Sequence, residues 1–99
     1  MVKILQDIWI IKDGVVVFER TFDKNVDPQL FGGLMSALNS FAEELAKGGL
    51  SNFELSQKKF TIIKKGSFLF VADSKPSAKA KKVEKELQNI VQKFFSLYP

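Results

Sequence analysis

PQLFGGLMSALNSFAEELAK, residues 28–47, reads as one amphipathic helix, and the way its apolar residues divide decides what the chain can be. With Leu30 set at 0° and about 100° per residue, Leu34, Ala37, Leu38, Phe41 and Leu45 fall between about 340° and 80°. That is a stripe of the width a core-facing helix needs. Phe31, Met35, Ala42 and Ala46 fall between about 100° and 160°, which widens the apolar arc to about 180°. Asn39 and Gly32 lie just beyond them. Leu30, Leu34, Phe41 and Leu45 are expected to belong to the fold. Phe31, Gly32, Met35, Asn39, Ala42 and Ala46 are expected to form a pairing surface, unless loops or the flank of a sheet cover them. Asp27 is a good N-cap and Pro28 suits the first helical position. Gly48-Gly49 stops the helix.

The flanking segments alternate as strands. Residues 3–11, KILQDIWII, are apolar in both parities, as in a strand covered on both faces and central in a sheet. Leu5, Trp9 and Ile11 mark one face, and Ile4, Ile8 and Ile10 the other. Asp7 shares the face of Leu5 and Trp9, as a buried hydrogen-bonded carboxylate or at an uncovered margin. Asp13-Gly14 is a tight hairpin signal, and VVVFERTF (15–22) returns with Val16, Phe18 and Phe22 on one face. LSNFELS (50–56) is a weaker strand suited to a sheet edge, with Phe53 and Leu55 on one face. KKFTIIKK (58–65) turns at Lys65-Gly66 into SFLFVAD (67–73), apolar in both parities and so interior. Val83, Leu87, Ile90, Val91, Phe94 and Tyr98 form the stripe of a terminal helix. The order is ββαβββα, and strands apolar on both faces call for one helix on each side of the sheet.

Ninety-nine residues, 45% hydrophobic with ten Phe, fit one domain spanning 1–99 with its own core. The absence of cysteine and histidine removes disulfides, thiol chemistry and histidine-based triads. No window approaches about eighteen uninterrupted apolar residues, so a cytoplasmic protein is expected. No phosphate-cradling GxxxxGK[ST] or GxGxxG occurs, and Asp23 with Asp27 is a sparse set for a hard cation. No cofactor or metal is expected. Residues 1–57 carry a net −3 and residues 58–99 a net +7. Lys58, Lys59, Lys64, Lys65, Lys79 and Lys82 form a candidate basic patch, either a solvated face or a contact for an acidic partner, an anionic membrane or nucleic acid. Arg20 is the sole arginine, and no exposed aromatic row offers base stacking, which weighs against nucleic acid.

The segments ILQDIWIIKDGVVVFERTF, DPQLFGGLMSALNSFAEEL and FTIIKKGSFLFVAD, with the terminal helix, together resemble the longin and roadblock group of small α/β domains. The resemblance covers nearly the whole chain as pattern and order, without a diagnostic motif, and is greatest to short stand-alone archaeal longins. It implies an α+β fold with a five-stranded antiparallel sheet between helices, in longin or profilin-like layering. It also implies a non-catalytic module that pairs, with itself or a related subunit, through its first helix and an edge strand. Paired platforms of this group bind small Ras-like GTPases, regulate them, or recruit them to membranes and trafficking complexes, which places the protein in the cytoplasm or at a membrane periphery. Carried over by position, the pairing residues are Phe31, Met35, Asn39, Ala42 and Ala46, with Phe53 and Leu55 on the third strand. No SNARE-type helix follows in this sequence, so vesicle fusion is not expected. No extra N-terminal helix precedes the first strand, which favours the longin side. A basic surface-binding domain and a profilin-like cytoskeletal binder are the competing readings.

Overall fold

Two tight turns build the sheet. Lys12 pairs with Val15 across a two-residue loop in which Asp13 and Gly14 both take positive φ, 51° and 82°. Such mirror-image turns match the twist of the strands they join. Lys65 pairs with Phe68 across Gly66-Ser67, where only Gly66 takes a positive φ of 62°. The computed structural model describes residues 5–20, 27–45, 52–54 and 58–97. The elements are β1 (Ile8–Lys12), β2 (Val15–Arg20), α1 (Pro28–Leu45), β3 (Asn52–Glu54), β4 (Lys59–Lys65), β5 (Phe68–Ser74) and α2 (Ala80–Leu97). They follow the expected ββαβββα order. Ala46, Leu55, Phe22, Tyr98 and the Gly48-Gly49 stop lie outside the described residues.

The five strands run β2-β1-β5-β4-β3, each neighbour antiparallel. β5 takes the centre, β1 lies second from one edge, and β3 is an edge as its polarity implied. The β1–β5 ladder continues beyond the strands, with Gln6 N–H donating to Asp73 O at 2.9 Å and Asp73 N–H to Asp7 O at 3.0 Å. The sheet carries a core on each face. On one, Trp9, Ile11, Phe60, Ile62, Leu69 and Val71 pack against Met35 of α1. On the other, Ile8, Ile10, Phe70 and Ala72 pack against Val83, Leu87 and Val91 of α2. Leu5, which precedes β1, joins this second core and not the Trp9 face on which strict alternation placed it.

A bulge corrects the reading of β2. Ile10 pairs with Phe18 but Ile11 with Val16, so Val17 is an extra residue. One inserted residue reverses the parity of everything beyond it. Val16 therefore packs on the α1 side, while Phe18 reaches the α2 side, and the two do not share a face.

The first helix is the other correction. Asp27 caps it as expected, its Oδ1 accepting from Gln29 N–H at 2.9 Å and its carbonyl from Phe31 N–H at 3.0 Å. The face it turns to the sheet is the opposite of the one assigned to the fold. Phe31, Gly32, Met35 and Asn39 point inward, whereas Leu30, Leu34, Leu38, Phe41 and Leu45 are exposed. The physical cause is close approach. A Cβ at Gly32 would lie 2.9 Å from Val16 Cγ2 and 3.0 Å from Gly14 O, so only a residue without a side chain fits where the helix crosses the β1–β2 hairpin.

Gly32 and its neighbour test this directly. Alanine in a helix interior ordinarily gains about 0.5–1 kcal/mol over glycine. Gly33→Ala, which meets nothing within 4 Å, is expected to show that gain as a higher thermal midpoint. Gly32→Ala is expected to lose about 1–3 kcal/mol, because the turn backbone must give way. Thermal denaturation at one fixed protein concentration reads both, and equal shifts of the same sign would show that the helix does not rest on the hairpin there.

Candidate functional site

The outward face of α1 is the strongest candidate surface. Leu30 is 74% exposed, Phe41 62% and Leu45 73%, and Leu34 and Leu38 continue the stripe between them. Five large apolar side chains along one helix, each at least 36% exposed, exceed the scattered exposure normal for a monomer. Their spacing over Leu34, Leu38, Leu45 and Phe41 is the three-and-four alternation of a helix–helix seam.

The residues expected to form the pairing surface lie elsewhere. Met35 is only 2% exposed and sits in the α1-side core. Phe31 is half-buried with its ring centroid 4.2 Å from that of Trp9 and 6.1 Å from that of Phe60. Phe53 stacks on Phe60 at 4.7 Å. Gly32 is held against the hairpin, and Asn39 is buried, donating from Nδ2 to Glu43 Oε1 at 3.2 Å. Ala42 is half-buried, and Ala46 and Leu55 are outside the described residues. Phe31, Gly32, Met35, Asn39 and Phe53 thus serve the fold, and the stripe expected to belong to the fold is the one left exposed.

The basic patch is largely spent inside the domain. Lys58 Nζ donates to Asp73 Oδ2 at 3.2 Å and lies 3.5 Å from Asp7 Oδ2. Lys59 Nζ donates to the carbonyl of Ala78 at 2.7 Å. Lys64 is paired with Glu43, which ties α1 to β4 and holds the Glu43 carboxyl below its usual range. Lys65 lies over the Phe95 ring, 6.0 Å from its centroid. Lys79 and Lys82 stand exposed at the start of α2.

The lysine–carboxylate cluster was not legible as a unit. Asp7 and Asp73 are both buried, and Asp7 N–H donates to Asp73 Oδ1 at 2.7 Å. Burial, reinforced by the neighbouring Asp7 carboxyl, raises the Asp73 pKa above the ordinary carboxylate value. Burial works to lower the Lys58 pKa, but the hydrogen bond and charges of Asp73 and Asp7 outweigh it and raise the value. Separately, a polar cleft of about 400 Å³ opens between α1 and the two hairpin turns, lined by Asp13, Ser36, Asn39, Ser40, Lys64 and Ser67 among others. Its lysine is the one neutralised by Glu43. Among the described residues no group of acidic side chains is placed to hold a metal ion, and no helix is long and apolar enough to cross a membrane.

No family model and no curated protein matches this chain. Solved structures do. A roadblock/LC7 domain from Streptomyces avermitilis superposes with a TM-score of 0.77 at 15% identity, over 97% of this chain and 87% of that one. Myxococcus xanthus MglB superposes with a TM-score of 0.67 at 13% identity, over 93% and 85%. The gliding protein MglB of Thermus thermophilus gives 0.62 at 14% identity, over 86% and 71%. At such identities the likeness is one of fold, and the chain has a longin/roadblock-like α+β fold.

The Lys58 cluster makes a pH-dependent test. Lys58→Met leaves two buried carboxylates without their cation, and is expected to cost about 1–3 kcal/mol near pH 7, allowing for the partial exposure of the lysine. The folded-state pKa of Asp73 lies above its unfolded value, so the folded chain takes up the proton first and this group's contribution becomes more favourable as pH falls. The Lys58 hydrogen bond holds the Asp73 pKa down, so its loss raises that pKa further in the variant, and the deficit of Lys58→Met is expected to shrink as pH falls from about 7 to about 5. Urea unfolding of parent and variant at both values reads it. A deficit independent of pH would show that the carboxylates do not depend on Lys58.

Proposed function

We propose that this chain is a non-catalytic interaction module that pairs through α1, with a second copy or a related subunit, and that the pair serves as a docking platform for a small Ras-like GTPase. One observation carries the pairing, namely the Leu30–Leu34–Leu38–Phe41–Leu45 stripe exposed along a helix whose opposite face is already packed. A second copy is the economical cover, because a twofold axis lets one apolar stripe bury its own duplicate. β3 is a sheet edge and offers a strand that the same pairing would extend. The GTPase partner, and with it a place in a cytoplasmic trafficking-type complex, rests on the resemblance to longin and roadblock domains. The fold likeness to a roadblock/LC7 domain and to MglB, one structure of which is described as having a tetrameric arrangement, supports that reading. The engagement of Lys58, Lys59, Lys64 and Lys65 within the domain counts against a basic surface built on β4.

Charge placed on each face of α1 separates fold from pairing. Leu34→Glu and Phe41→Glu alter exposed positions, so both are expected to keep the circular dichroism of the parent and to sediment as monomer where the parent sediments as dimer. Met35→Glu is expected instead to lose several kcal/mol of stability or fail to fold, because it buries a carboxylate in the core. A parent that is monomeric, or a Phe41→Glu variant of unchanged mass, would overturn pairing with a second copy. The platform is tested by retention of Ras-like GTPases on the immobilised domain with a GTP analogue. Phe41→Glu is expected to lose that retention, and failure of the parent to retain any GTPase would overturn this part alone.

A further inference from the structure

A second uncovered surface lies on the opposite side of the sheet. The bulge at Val17 swings Phe18 onto the α2 side, where it is 52% exposed although it neighbours Ile10 of the core. Phe18, Ile10, Ile90, Phe94, Leu97 and Lys93 line an apolar notch of about 150 Å³ between β2 and the last turns of α2. β2 is the edge of the sheet, and the described residues place no strand beside it. Its outward backbone accepts an amide already. The Gln29 side chain accepts from Val16 N–H at 3.2 Å and donates to Val16 O at 3.4 Å, the pair of bonds an added strand would make. Past that rung, Val17–Arg20 runs on as exposed edge.

We propose that this edge and notch take an extended peptide segment of another protein as a sixth strand, with one large apolar side chain in the notch and a carboxylate two residues away. Each feature of the segment follows from the surface. An edge strand recognises main chain, which gives affinity without sequence demand, and a pocket beside it selects alternate side chains. Residues two apart on a strand project to the same face, so the apolar group and its flanking carboxylate both turn toward α2. There Lys93 is the charged group lining the notch, and Arg20, paired with Ile8 on the same side of the sheet as Phe18, adds positive charge farther along the edge. The notch is too small to seat a helix, but it fits one side chain. This surface is independent of the outward stripe of α1, from which the sheet separates it.

The probe is a fluorescein-labelled peptide, Ser-Glu-Thr-Phe-Thr-Glu-Ser, titrated with the full chain and followed by anisotropy. Micromolar binding is expected, weakened at least about tenfold by Phe18→Asp, and by Lys93→Glu, which should also bring binding of the version with lysine in place of both glutamates. Phe18 and Lys93 are exposed, so circular dichroism of both variants is expected to match the parent. N-methylation of alternate peptide residues is expected to abolish binding in one of its two phases, as only one set of N–H groups faces the edge. No binding of the peptide, binding indifferent to Phe18→Asp, or loss in neither N-methylated phase would overturn the proposal. So would a fall in the parent's sedimenting mass caused by Phe18→Asp, which assigns the notch to a second copy. Capture of phosphatidylserine vesicles in place of the peptide would assign it to a membrane and overturn it equally.

Discussion

The contact on which the rest depends is the seat of Gly32 against the β1–β2 hairpin. A helix can lie on a sheet in any rotation that buries apolar surface, and α1 is apolar over two adjoining stripes that span about half its circumference. What removes the ambiguity is that Gly14 O and Val16 Cγ2 come too close for any Cβ. With Gly32 facing the hairpin, Phe31 must fall against Trp9, Met35 must enter the core, and Asn39 and Glu43 must follow toward Lys64. The five larger residues of the opposite face are then left outside. The exposed stripe is therefore a consequence of the packing, and any substitution that rotated α1 to bury it would have to open the hairpin contact.

The α2 side answers to a different constraint. Val83, Leu87 and Val91 are fully buried over β1 and β5, and Phe94 and Phe95 join Phe68 and Phe70 in a cluster of edge-on and tilted rings. This helix covers the middle of the sheet and stops short of β2. The bulge then matters more than a local irregularity would, because it delivers Phe18 to the side that α2 leaves open. One extra residue in β2 thus decides that the hairpin contributes Val16 to one core and Phe18 to a surface on the other.

Much of the architecture was legible in the sequence. The Asp-Gly and Lys-Gly turns, the strands apolar in both parities, the Asp27 cap and the Val83–Leu87–Val91 stripe each rest on local chemistry that tertiary contacts reinforce. What was not legible is phase. Two apolar stripes on one helix carry no label saying which meets the sheet, and weighting by size chooses the Leu and Phe stripe. Gly32 carries the signal, since a helix-interior glycine costs about 1 kcal/mol and marks a close approach, but its position does not say whether a pairing surface or the chain's own hairpin makes that approach. The parity change at Val17 leaves no trace in composition. The pairing of Lys58 with Asp73, fifteen positions on, and with Asp7, on a strand much earlier in the chain, is not a local pattern, although a buried Asp7 was one of the two outcomes its position allowed.

Charge and apolar exposure lead to the same place by separate routes. The net +7 of residues 58–99 suggests a basic surface, yet Lys58 and Lys59 fasten the start of β4 to β1, β5 and the approach to α2, and Lys64 fastens its end to α1. These lysines are structural cations, and an anionic partner would have to compete with buried or well-placed acceptors to recruit them. The exposed leucines and Phe41 have no such competitor among the described residues. Transfer of that stripe out of water gains about 25 cal/mol per Å² of apolar surface, and no other described residue is positioned to collect it. Of the features that set this chain apart from a featureless α+β domain, the surplus apolar face of α1 is thus the largest apolar stripe that the described residues leave in water.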